Sequence, residues 1–120
     1  MTMTIPQTAA AYLRATNNRE SAAFIDLFAD GAVVNDAGRE FRGIPAIKDW
    51  SDREIFDAQV MLEVLNVTDR DGETVLTTKV DGNFDRVGLP DPVIINHHIT
   101  VEDGQIVRLT CRLAVESPET

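Results

Sequence analysis

After residue 58 the chain shows four stretches in which apolar residues recur with a period of two. The stretches "QVMLEVLNVT", "ETVLTTKVDG", "VIINHHITV" and "QIVRLTCRL" all alternate in this way. Alternation sends successive side chains to opposite faces, so each stretch reads as a strand. "DRDG" (69–72) and "EDG" (102–104) read as turns between neighbours. "RVGLPDP" (86–92) is rich in glycine and proline and reads as a loop. Four strands with one apolar face cannot stand alone in water. Something in the first half of the chain must cover that face.

The first half has helical spacing. Thr4, Pro6 and Gln7 look like a helix start, with Thr4 as a cap and Gln7 at the capping-box position. Ile5, Ala9, Tyr12, Leu13 and Thr16 then share a face, and Asn17 and Asn18 end the run. A second helix runs through "ESAAFIDLF", with Phe24, Leu27 and Phe28 on one side, and Asp30-Gly31 stops it. Residues 33–36 form one short strand that ends at Asp36. A third helix begins near Pro45 and buries Ile47 and Trp50. "SPET" (117–120) reads as a frayed tail. Helices segregated from a strand meander define an α+β class. A sheet that curls around helices leaves a pocket between the two layers.

Composition narrows the function classes. A chain of 120 residues, 43% of them hydrophobic, is expected to form one domain over 1–120. The net charge of −9 at pH 7 leaves no basic surface for nucleic acid or for an anionic membrane. No stretch approaches the roughly 20 apolar residues of a membrane span. Cys111 is the single cysteine, so no internal disulfide forms. The N-terminal "MTMTIPQTAA" has neither a basic region nor a long apolar run. The expectation is a cytoplasmic protein. No cofactor is expected either, since no phosphate loop or dinucleotide fingerprint occurs. Nor is a metal, because His97 and His98 are strand neighbours pointing to opposite faces and cannot share an ion.

Three stretches, "LFADGAVV", "FRGIPAIKDW" and the last strand pair split by "EDGQIV", carry a resemblance. Over about residues 5–114 the chain resembles the nuclear transport factor 2-like, or SnoaL-like, superfamily. That resemblance implies a cone: three N-terminal helices packed in a strongly curved, mostly antiparallel sheet that encloses a pocket. In motif the chain is most similar to ketosteroid isomerase. The family's pocket tyrosine matches Tyr12 in "AYLRATN", and its general-base aspartate matches Asp36 in "LFADGAVVND". Its second carboxylic acid corresponds to Asn96 in "INHH", so the pattern departs there.

The resemblance implies cofactor-free movement of a proton alpha to a carbonyl of an apolar small molecule. Asp36 would be the base, with Tyr12 and Asn96 as hydrogen-bond donors to the carbonyl oxygen. An amide in place of an acid implies a weaker donor pair, by about 1–2 kcal/mol. A polyketide cyclase or dehydratase, a ligand-binding protein without chemistry, and a dimerising module remain open on the same scaffold.

If Asn96 faces the pocket, strand alternation brings His98 with it. His97 then joins Val93, Ile95, Ile99 and Val101 in an outer apolar stripe. In this superfamily that outer face is a common homodimer surface, so a homodimer is expected. On the last strand Leu109, Cys111 and Leu113 would line the pocket while Arg108, Thr110 and Arg112 face out. Phe28, Trp50 and Phe56 are candidate apolar walls.

Overall fold

The computed structural model describes residues 4–85 and 87–114. The expected tail at 117–120 and Arg86 of the glycine-proline loop lie outside them. Helix α1 spans Gln7–Asn17 and α2 spans Ser21–Asp26. Helix α3, Ile44–Ser51, runs on into a π-helical turn over Asp52–Phe56. The strands are β1 Phe28–Asp36, β2 Arg39–Arg42, β3 Met61–Arg70, β4 Glu73–Asp81, β5 Val93–Glu102 and β6 Gln105–Leu113.

Among the described residues the strands form one open sheet in the order β2-β1-β6-β5-β4-β3. Every pair is antiparallel except β1 with β6, which is parallel. The register shifts between Val64 and Asn66 on β3 and between Thr100 and Val101 on β5. Extra residues of this kind bend a strand and raise its twist, so the sheet curves over the helices. This is the expected α+β cone, and the strand boundaries from β3 to β6 fall within two residues of the expected ones.

The first half departs from expectation in three places. Phe28 does not end the second helix but opens β1, which runs nine residues. Asp30-Gly31 sits inside that strand, at exposed positions, where the register against β6 shifts between Phe28 and Val33. A further strand, β2, pairs back on β1. Helix α1 also starts without a side-chain cap: Pro6, not Thr4, stands at its N-cap.

The core lies between the concave sheet face and the helices. From α1 it takes Ala9, Tyr12, Leu13, Ala15 and Thr16. Phe24 of α2 is its hub, with Tyr12, Phe28, Trp50 and Phe56 within 5.3–6.4 Å ring to ring. Such tilted and edge-on pairs add specificity to area burial. Asn17, at the last turn of α1, clamps the edge strand β3: its amide donates to the Leu62 carbonyl at 2.9 Å and accepts from the Leu62 N–H at 2.8 Å. Gly43 turns the chain from β2 into α3 at φ +84, a backbone value that β-carbons disfavour.

Candidate active site

Asp36 is the last residue of β1, and its position is set by a two-residue turn. Ala37 and Gly38 take φ of 54° and 85°. Positive φ at both central residues is the hairpin geometry that matches strand twist. The Gly38 N–H donates to Asn35 Oδ1 at 3.1 Å and closes the turn. A turn this tight sets Arg39 directly opposite Asp36. Arg39 Nη2 donates to Asp36 Oδ2 at 2.9 Å, and Trp50 Nε1–H donates to the same oxygen at 3.0 Å. Among the described residues Oδ1 accepts no hydrogen bond.

Arg39 reaches further, to Glu54 on the π-helical turn, in a two-pronged contact at 2.7 and 2.6 Å. The paired guanidinium holds Glu54 below the usual carboxylate range, against the opposing pull of partial burial. Glu54 in turn keeps Arg39 firmly charged. The three groups form a carboxylate–guanidinium–carboxylate bridge at the cavity mouth.

The other end of the site is deep. Tyr12 OH lies 2.8 Å from His97 Nδ1, and Thr78 Oγ1 lies 2.9 Å from His97 Nε2. Cys111 Sγ is 3.8 Å from Nδ1. Burial pushes the Tyr12 phenol well above its ordinary value, with the neighbouring Cys111 adding to the rise. Burial likewise pushes the Cys111 thiol up. It pulls His97 down to about 4, aided by His98. All three groups are therefore neutral near pH 7. Among the described residues no buried side-chain nitrogen or oxygen lacks a partner.

Tyr12, Asp36, Glu54, His97 and Cys111 share one chamber of about 100 Å³, walled by Trp50, Ile55, Val60, Leu62, Val80 and Ile95. A vestibule of about 330 Å³ continues from it past Arg39, Phe84, Leu89, Arg112 and Leu113. The two spaces share Asp36, Glu54, Val60, Val80, Ile95 and Cys111.

The structure brings Tyr12, Asp36, Trp50, Cys111 and Leu113 to these walls. Phe28, Phe56 and Leu109 lie behind them as core. Asn96 and His98 are corrected: both face the outer side of the sheet. Asn96 Oδ1 accepts from Thr77 Oγ1 at 2.6 Å, and His98 Nδ1 stands 3.7 Å from Glu73. The reason is alternation against burial. Directly paired residues share a face, and β6 pairs Leu109 with Ile99, Cys111 with His97 and Leu113 with Ile95. With the β6 set inside, His97 goes inside as well. The stripe of Val93, Ile95, His97 and Ile99, expected to form a dimer surface, is the core face of β5.

Sequence reading missed His97, Thr78, Arg39 and Glu54. The first two were within reach, because the most apolar alternating set of a one-sided strand belongs inside. Arg39 and Glu54 had no signal of their own, since their meeting depends on an unexpected hairpin and a π-turn.

The family model described as the SnoaL-like domain matches residues 9–109. No curated protein matches the chain. Among solved structures, a proposed polyketide cyclase from Sinorhizobium meliloti is 29% identical, with 90% of this chain and 95% of that one covered and a TM-score of 0.81. A Catenulispora acidiphila protein with a ketosteroid isomerase-like fold, in complex with trimethylamine, is 20% identical, covered 95% and 90%, at TM-score 0.76. Delta 5-3-ketosteroid isomerase from Mycobacterium sp. is 17% identical, with 88% of each chain covered, at TM-score 0.69. The last two likenesses are of fold alone.

Proposed function

This chain belongs to the SnoaL-like domain family, and from that premise we propose that it moves a proton next to a carbonyl of a compact apolar molecule, without a cofactor. The carrying observation is that Asp36 and Tyr12 line one small, largely apolar chamber. One is a carboxylate, able to take a proton. The other is a phenol kept neutral by burial, able to stabilise the oxygen on which charge develops.

Trp50 and Arg39 occupy Asp36 Oδ2, so Oδ1 is the oxygen that takes the proton. The C–H electron pair passes to the carbonyl oxygen as an enolate, and the Tyr12 hydroxyl donates to it. Return of the proton to a different carbon gives the isomer, with no atom gained or lost. Asn96 takes no part, since it faces outward. The chamber of about 100 Å³ fits a carbonyl-bearing ring, and the vestibule of about 330 Å³ takes the remainder of the molecule. A second reading shares the first step: the enolate attacks a second carbonyl of the same molecule, as in a polyketide cyclase. The 29% identity to the Sinorhizobium meliloti protein supports it.

The test is conversion of β,γ-unsaturated ketones, from monocyclic enones to a ketosteroid, to their conjugated isomers, followed by ultraviolet absorbance. Wild type is expected to turn over at least one of them, and Asp36→Asn to lose about 10²–10⁴ in rate. Equal rates in the two proteins, or none in either, would remove isomerisation.

A further inference from the structure

Thr78, His97 and Tyr12 form a chain of three hydroxyl or imidazole groups with one mobile proton each, running from the sheet into the chamber. Its hydrogen bonds can be drawn in two directions. In the first, Tyr12 donates to His97 Nδ1, Nε2–H donates to Thr78, and Thr78 donates to the Ile95 carbonyl at 3.4 Å. All three protons are then used inside the protein, and Tyr12 shows the chamber only lone pairs. In the second, Thr78 donates to Nε2 and Nδ1–H donates to the Tyr12 oxygen. The phenol proton is then left for whatever occupies the chamber. Which nitrogen carries the proton is set by what the other one meets.

We propose that His97 is a positioning residue that reverses this chain when a carbonyl oxygen enters, turning Tyr12 from an internal donor into a donor for the ligand. The inference rests on the carbonyl reading above. Geometry supports it in three ways. Both ring nitrogens have hydroxyl partners, and a hydroxyl both gives and accepts. The Thr78 hydroxyl has an alternative acceptor in Ile95, a long contact that is easily given up. Thr78 does not line the chamber, so it acts on a ligand only through His97. The ring is also neutral, as reversal requires, because burial and nearby His98 depress its protonation. Around it stand Tyr12 from α1, Asp36 from β1, Thr78 from β4 and Cys111 from β6, with Glu54 across the chamber. The consequence is a class of ligand: the chamber accepts both members of a keto–enol pair. The ketone accepts a hydrogen bond from Tyr12, and the enol donates one to it.

The experiment is ¹⁵N NMR of protein labelled at both histidine and tryptophan. The chain has two histidines and one tryptophan, so His97 and the Trp50 indole are readily assigned. Acetophenone is the probe. The expected result is a proton on His97 Nε2 in the free protein and on Nδ1 at saturation. The Trp50 N–H, which donates to Asp36 in the same chamber, reports occupancy independently. A moved Trp50 signal with an unmoved His97 tautomer overturns the relay and leaves the carbonyl reading standing. An unmoved Trp50 signal overturns the carbonyl reading itself. A free protein already protonated on Nδ1 also overturns the relay.

Thr78→Val tests the relay without any ligand. It leaves Nε2 facing a methyl group, and an orphaned buried N–H is worse than an orphaned lone pair. The proton is expected on Nδ1 from the start, with acetophenone bound several-fold more tightly because no reversal is needed. Should that variant not fold, the wild-type titration decides alone. A folded Thr78→Val still protonated on Nε2 overturns the proposal.

Discussion

The two ends of one cavity are built on opposite principles. At the mouth, Asp36, Arg39 and Glu54 are charged, paired, and 23%, 50% and 30% exposed at the side chain. At the bottom, Tyr12, His97, Thr78 and Cys111 are buried and neutral, and hydrogen bonds do the work. Water supports charge at the mouth and its absence forbids charge at the bottom. The mouth can therefore hold a base while the bottom holds an uncharged donor. Stability should depend mostly on the bottom, because exposed ion pairs contribute little and buried hydrogen-bond partners are costly to orphan.

The largest expected effect is the split at Asp36. Asp36→Asn should abolish turnover by the factor given above and shift the urea midpoint by less than about 1 kcal/mol in equivalent stability. A stability loss exceeding that of Tyr12→Phe would break the contrast. Next comes acid sensitivity. His97 is held at about 4 in the fold against 6.5 as a free side chain. As pH falls from 6.5 toward 4, the unfolded chain takes up the proton and the fold does not. This contribution is full above 6.5 and lost progressively across that window, to about 3 kcal/mol in all. Urea melts of wild type and His97→Gln at several pH values should show the slope shrinking in the variant. Parallel curves would mean that the bottom is not kept neutral.

A smaller effect attaches to Tyr12→Phe. It strips His97 Nδ1 of its hydroxyl partner and should cost about 1–3 kcal/mol of stability, read by thermal or urea melts. Turnover should drop about 10²–10³. The smallest is Glu54→Gln, expected to change stability by under about 1 kcal/mol, and less still in high salt. An equal loss at low and high salt would show that the bridge is not acting as an exposed ion pair.

The fold was legible because period-two alternation over four stretches leaves little choice of element, and because apolar helical faces had to cover them. The site was legible only in part. Asp36 and Tyr12 stand where a motif match placed them, on the chamber wall. Asn96 faces outward, against the motif match, because a motif carries no pairing register. A one-residue change of parity moves every side chain of a strand to the other face. The cross-strand partners Cys111 and His97 settle that parity, and pairing is a property of the sheet and not of the strand. Arg39 and Glu54 are 15 residues apart, on a hairpin and a π-turn, and no local pattern announces their meeting.

The strand order has a kinetic meaning. Among the described residues β6 lies between β1 and β5 and, within the sheet, joins the β2-β1 ribbon to the β5-β4-β3 meander. Asp36 sits on one side of that seam, next to Cys111, and His97 sits on the other side, facing the same residue. Until β6 is inserted, the base and the histidine that partners Tyr12 belong to separate pieces of the sheet. Ligand binding thus reports completion of the sheet. A ligand that spans the seam should slow the escape of β6 more than the fraying of β3 at the far edge, making the small molecule a rivet across that seam.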